Sequence, residues 1–357
     1  MDKLPSIDEP HLMEFLSGLL NTPSPTGFAQ RAIDYIEKSL AEFSFIQVSR
    51  TRKGSLLAIW PGASNDAPRA VTAHADTLGA MVKEIKSNGR LKMSAIGGFV
   101  WNTVEGEGCT VFTSDGRHYR GSILLTEASS HVHGKHVAET KREDETLEVR
   151  LDALTSSASD TRGLGISVGD FIAFDPRLEI TNGFVRSRHL DDKACVACVV
   201  AAIKSLSDAG LQPAQTTSFL FSNYEEVGHG AAAGIPSDVV ELLAVDMAAV
   251  GEGQSSDEFH PSICVKDSGG PYHHSFSQKL RKLADEYEIS YKVDIYPYYG
   301  SDGEAYWRAG GDVAVALIGP GIDASHNYER THFQSLEGTT QWVAAYLLSE
   351  MMPGENS

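Results

Sequence analysis

The sequence predicts an α/β fold, a mixed sheet flanked by helices and interrupted by an inserted β-rich unit. Three observations carry that prediction. Strand-like apolar runs alternate with helical-period segments toward both ends of the 357-residue chain. From about Met81 to Phe174 the texture changes to short alternating segments set off by glycine-rich and polar turns, which is the mark of a small all-β unit. The α/β rhythm then resumes, so 81–174 reads as an insertion into one unit built from 1–80 and 175–357.

Taken in order, "DEPHLMEFLSGLL" and "TGFAQRAIDYIEKSLAEF" place apolar residues at helical spacing, with "NTPSPTG" as a loop and helix-start signal between them. "SLLAIW" and "RAVTAHAD" read as strands, the second a nearly continuous apolar run typical of a buried strand. The insertion supplies "KMSAIGGFVW", "GCTVFTS", "YRGSILLTE", "TLEVRLDAL" and "DFIAFD", with the charge run "ETKREDETLEV" as a solvated loop. Next come the helix "DKACVACVVAAIKSL", the strand "TTSFLFSNY", a short helix over "PSDVVELL" and the strand "LLAVDMAAV". The strand "SICVKD", the helix "SFSQKLRKLADEY", the strands "SYKVDIY" and "DVAVALIG", and the helix "QSLEGTTQWVAAYLLSEMM" complete the chain.

Composition narrows the function. A formal charge of −18 argues against nucleic-acid binding, which rests on clustered Lys and Arg. The start of the chain lacks the basic flank and apolar block of a secretory signal, and no run reaches the ~18 apolar residues of a membrane span. The four cysteines, Cys109, Cys195, Cys198 and Cys264, are sparse, which points to a reducing cytoplasm. Cys195 and Cys198 form a CxxC, but inside a helical run of small apolar residues and without a second CxxC, so they read as core.

In doubly wound sheets, sites form beyond the carboxyl ends of the strands. Here those ends carry His74 and Asp76, Glu225 and Glu226, Asp246, and a few residues further on His326, while Asp191 and Asp192 open a helix. A single such tip is an ordinary cap or surface residue; five converging are hard to obtain by chance. Strand residues i and i+2 share a face, so Asp76 is expected to accept a hydrogen bond from one nitrogen of His74 and leave the other for a metal. His, Asp and Glu without thiolate suit zinc, cobalt or manganese. The ligands number five: His74, Asp191, Glu226, Asp246 and His326. That exceeds one tetrahedral ion and fits two divalent ions, zinc first, if one carboxylate bridges.

"HADTLGAMV", "HLDDKA", "YEEVGHGAA", "AVD" and "GPGIDASH" resemble, in order and spacing, the motifs of the M42 family of dinuclear metallo-aminopeptidases, nearly end to end. The resemblance implies a zinc-peptidase-like catalytic domain with an inserted β-barrel or PDZ-like dimerisation and assembly domain. It implies a homo-oligomer, from a dimer up to a twelve-subunit shell, acting on short peptides with no nucleic-acid or membrane partner. Residue by residue it makes His74 a terminal ligand, Asp76 its orienting partner and a catalytic residue, and Asp191 the bridging carboxylate, with a cis peptide to Asp192. It makes Glu225 the general base, and Glu226, Asp246 and His326 the remaining ligands. His332 is a rival for the last position. The family's Arg-Tyr pair before that histidine is absent from "GIDASHNYERTH", so no substrate-edge contact is carried over.

The expected activity is therefore metal-dependent release of N-terminal residues, with a water activated between two ions and Glu225 as base. Alternatives are a related dinuclear deacylase or carboxypeptidase, a specialised dipeptide or compatible-solute hydrolase, or a metal-free scaffold; the complete ligand set argues against the last. His131, His133 and His136 lie in the insertion and read as loop or subunit contact. His229, near the site in sequence, reads equally as a substrate contact or a loop histidine, Asp302 as a residue able to help form the pocket, and His273 and His274 as a helix start or part of the pocket lining.

Overall fold

The computed structural model describes residues 3–350. Its α/β unit is built on a twelve-stranded mixed sheet. Four neighbouring strands at its centre, Gln215–Ser222, Ser64–His74, Glu241–Val245 and Ala314–Asp323, run parallel. Alternate residues of these strands go to opposite faces. Val71, Ala73, Leu243, Val245, Ala316 and Ile318 join a core that includes the helices Glu9–Leu20, Leu190–Asp208 and Phe333–Leu348. Ala70, Leu242, Ala244, Val315 and Leu317 face the other way, with Trp307 of the helix Asp302–Arg308 packed against them. The strands are buried on both faces, which is why they read as continuous apolar runs.

Between the first and second parts of this sheet the chain makes a closed six-stranded antiparallel barrel. Its strands, in spatial order, are Gly79–Ile85, Leu91–Ile96, Leu147–Leu151, His118–Leu125, Gly108–Phe112 and Phe171–Phe174. Val82, Met93, Val111, Ile123, Val149 and Ile172 fill its interior. The fold class read from sequence, an α/β unit carrying an inserted barrel, is the fold observed.

Several elements differ from expectation. "PSDVVELL" is no helix: Pro236–Val240 turns, and Glu241 already begins a strand. Its valines and leucines fall at helical spacing, but Val239 packs into the core ahead of the strand. "LLAVDMAAV" is two strands, Glu241–Val245 and Ala248–Val250, broken at Asp246. "KMSAIGGFVW" stops as a strand at Ile96, and residues 97–101 leave the barrel. The closing helix ends at Leu348; Met351 and Met352, expected to extend it, lie outside the described residues. Cys195 and Cys198 are buried and unpaired in the helix core, as are Cys109 and Cys264 elsewhere. No described helix is long and apolar enough to cross a membrane.

Candidate active site

Parallel pairing brings the strand tips together. His74 ends its strand in register with Ser222, and the chain after Ser222 turns through Glu225 and Glu226. Asp246 follows the adjacent strand immediately. That strand approaches its neighbour so closely that a Cβ at Gly319 would lie 1.8 Å from the Asp246 carbonyl oxygen, so glycine is required there. Asp191 arrives at the start of the helix Leu190–Asp208, joined to Asp192 by a cis peptide bond. His326, with φ of 63°, sits in the connection between the strands Ala314–Asp323 and Glu329–His332.

Asp191 is the centre of the arrangement. One of its carboxylate oxygens lies 3.1 Å from His74 Nε2, and the other lies 3.2 Å from His326 Nε2. Asp246 joins the first side: ligand atoms of His74, Asp191 and Asp246 all fall within 4.8 Å of one another. Glu226 joins the second, with Oε2 3.5 Å from His326 Nε2. Glu225 stands beside His74, Oε2 to Nε2 3.6 Å. His332 does not come to this cluster. Its ring packs edge-on against Phe184, and its Nδ1 accepts the Gln334 amide at the start of the last helix.

The role expected for Asp76 is redistributed. His74 Nδ1 is 2.9 Å from the Asp76 backbone carbonyl and 3.8 Å from its carboxylate. The carboxylate instead accepts the Thr26 hydroxyl at 2.6 Å and the amides of Glu225 and Glu226 at 3.2 and 3.4 Å. Two N–H groups and a hydroxyl outcompete one imidazole for it. The carbonyl still takes the Nδ1 proton, so Nε2 is the nitrogen that faces the carboxylates. Asp76 thus orients His74 through its backbone and the Glu225–Glu226 turn through its side chain.

One participant was not found from sequence. Glu329, 2% exposed, accepts the backbone amide of Asp191 at 3.1 Å and that of His326 at 2.9 Å. Asp192 likewise accepts the His74 amide at 3.0 Å. Outside the barrel strands, the carbonyl of Gly98 accepts His326 Nδ1. The signal available for Glu329 was slight, a glutamate three residues after His326 at a strand start.

The electrostatics are those of an acidic site short of positive charge. Burial, with Asp191 next, pushes Glu226 up to about 8 and Asp246 up to about 7. Burial also holds Glu225 well above the usual carboxylate range. For His326 burial opposes charging, but the hydrogen bond to Asp191 and the charge of Glu226 outweigh it and raise it to about 10. Buried carboxylates crowded in this way call for cations. Two imidazoles and three carboxylates around them form a donor set that fits divalent zinc, cobalt or manganese.

The cluster opens into a cleft of about 990 Å³, walled also by Phe99, Val100, Met247, Tyr296, Tyr298 and Tyr299. Asp302 does not line it; its carboxylate instead binds the Thr72 hydroxyl (3.0 Å), the Ala231 amide (2.7 Å) and Ser222, fixing the turn after that strand. His229 stacks on Tyr224 at the surface. His131, His133 and His136 lie on two short exposed helical turns, with His136 3.2 Å from Glu127. His273 caps the helix His274–Glu286 by accepting the Phe276 amide.

Comparison with known proteins shows the family and the fold. A model of the family described as M42 glutamyl aminopeptidase matches residues 54–341. YhfE of Bacillus subtilis (strain 168) is 49% identical over 341 residues, covering 95% of this chain and 98% of that protein. A lysyl aminopeptidase of Pyrococcus furiosus is 23% identical over 356 residues, covering 95% and 97%. The solved TET1 peptidase of Pyrococcus horikoshii, which can assemble into a tetrahedron or a large octahedral shell, has the same fold. It superimposes with a TM-score of 0.83 at 22% identity, covering 95% of this chain and all of that one.

Proposed function

The chain belongs to the M42 glutamyl aminopeptidase family, and from that premise we propose that it releases N-terminal residues from short peptides at a pair of divalent ions held by His74, Asp191, Glu226, Asp246 and His326. The observation that carries this reading is Asp191, whose two oxygens each face a different histidine at 3.1 and 3.2 Å. A carboxylate so placed can serve two ions at once. Zinc is the first candidate, with cobalt and manganese as alternatives; bound ions would polarise the scissile carbonyl and lower the pKa of water.

The chain's own groups do the rest. Glu225 takes a proton from the attacking water and returns it to the departing amine, a role its burial suits by raising its proton affinity. Asp76 holds the amides of Glu225 and Glu226, so the base and its neighbouring ligand keep a fixed relation. The free α-amino group of the substrate lies against the site's carboxylates, which limits cleavage to the first residue. Assembly into a homo-oligomer is part of the same proposal.

Glu225→Gln tests it. The variant should keep its metal and lose about 10²–10⁴-fold in kcat on aminoacyl amides and dipeptides. Turnover at the wild-type rate would remove Glu225 from the mechanism. Release of acyl groups or C-terminal residues instead of free N-terminal amino acids would replace the aminopeptidase reading with a related hydrolase.

A further inference from the structure

A second cavity, of about 490 Å³, lies where the barrel meets the α/β unit, and none of the candidate ligands lines it. Its charged walls are Lys193, Arg120, Arg177 and Asp175, with His189 beside them. In a chain of net charge −18, three cations around one carboxylate are a local reversal of sign. Two of the cations are already neutralised. Arg120 engages both oxygens of Asp175, one at 2.6 Å, and Arg177 reaches Glu107 at 2.6 Å.

Lys193 is different. It is 1% exposed, and its ammonium donates to the Thr22 carbonyl at 2.7 Å. Among the described residues that is its one acceptor, and no carboxylate lies within ion-pair distance. An ammonium has three donors, and burying a charge without a counter-charge is costly. Two of its donors therefore stand unmatched at the wall of a cavity large enough for a small ligand.

We propose that this cavity binds a small carboxylate of amino-acid size, its anionic group on the Lys193 ammonium. A single lysine without a carboxylate partner matches a monoanion better than a dianionic phosphate, which is the competing source of the same chemistry. Lys193 directly follows Asp192, whose carboxylate accepts the His74 amide. Occupancy thus bears on the turn that carries Asp191.

The test is calorimetric titration of the metal-loaded protein with acetate, glycine and inorganic phosphate at constant ionic strength. Acetate and glycine should bind saturably with Kd on the order of 1 mM. Lys193→Met should weaken that binding at least about tenfold. Thr110→Trp should do the same by filling the cavity from the barrel wall while leaving Lys193 in place, so it decides the matter if Lys193→Met fails to fold. Absence of saturable binding to the wild type overturns the proposal. So does wild-type affinity retained in Thr110→Trp, which would place the anion on the candidate metal centre. Preference for phosphate over both carboxylates overturns the assignment of ligand class.

Discussion

The strand Glu241–Val245 has a buried carboxylate at each end, and the two ends treat it differently. At the start, Glu241 receives Lys279 at 2.9 and 3.0 Å and Arg69 at 3.2 Å. At the finish, Asp246 has no lysine or arginine paired with it among the described residues; it faces His74 and Asp191. The barrel repeats the first solution: Glu148, its side chain 1% exposed, is met by Lys86 at 3.0 Å, Arg90 at 2.6 Å and Arg150 at 3.5 Å. At Glu241 and Glu148 the chain supplies the cations itself. At Asp246 it supplies no lysine or arginine, and on the proposed reading the further positive charge comes from bound ions.

Removing metal should sharpen that contrast most. The folded-state values of Glu226 and Asp246, about 8 and about 7, lie above the ~4 of an unfolded chain. The metal-free fold therefore holds protons that the unfolded chain has released. The stability this gives is complete below pH ~4 and is lost as pH rises toward 8. His326, at about 10 against ~6.5 unfolded, extends the same loss toward pH 10. Denaturant midpoints of chelated protein should fall between pH 5 and 9. Free metal about 1,000-fold above its Kd should restore about 4 kcal/mol and flatten the pH dependence. A metal-free protein with no decline above pH 5 would mean that the acids at this end are already neutralised.

The other end should behave oppositely. Lys279→Met takes the nearer cation from Glu241 and should cost about 3 kcal/mol, the lower range for breaking a buried pair, since Arg69 remains. Urea unfolding checks the loss, and metal content should be unchanged. If the variant also loses metal, the two ends of the strand are not independent.

The same contrast explains what was legible in the sequence. Doubly buried strands leave apolar runs and strand tips leave polar punctuation, so His74, Asp191, Glu225, Glu226, Asp246 and His326 could be singled out before any coordinates. What could not be read depended on distant pairing or on competition for one group. The misread "PSDVVELL" has apolar residues spaced for a helix, and only its place ahead of the sheet makes it a turn and a strand. The Asp76 carboxylate lies on the face expected, but Thr26 and two amides from a turn about 150 residues away claim it. His332 was a plausible ligand by proximity, and its strand pairing with Phe184 carries it elsewhere.

Glu329 is the clearest such case, and it gives the smallest of the expected effects. Its two hydrogen bonds reach 138 residues back to Asp191 and three residues back to His326. One buried carboxylate thereby fixes the backbone of the shared acid and of the last histidine. It touches no ligand atom, so its loss should loosen the site without dismantling it. Glu329→Ala should weaken metal binding about 10–100-fold, the usual penalty for removing a group that orients ligands. Titration against a competing chelator checks this, with circular dichroism confirming the fold. Glu329→Gln should fall between, because its amide can accept one of the two N–H groups but turns a donor toward the other. Wild-type affinity in Glu329→Ala would mean that Asp192 and Gly98 suffice to hold the histidines, and that the acid at position 329 belongs with Glu241 and Glu148 as a structural charge.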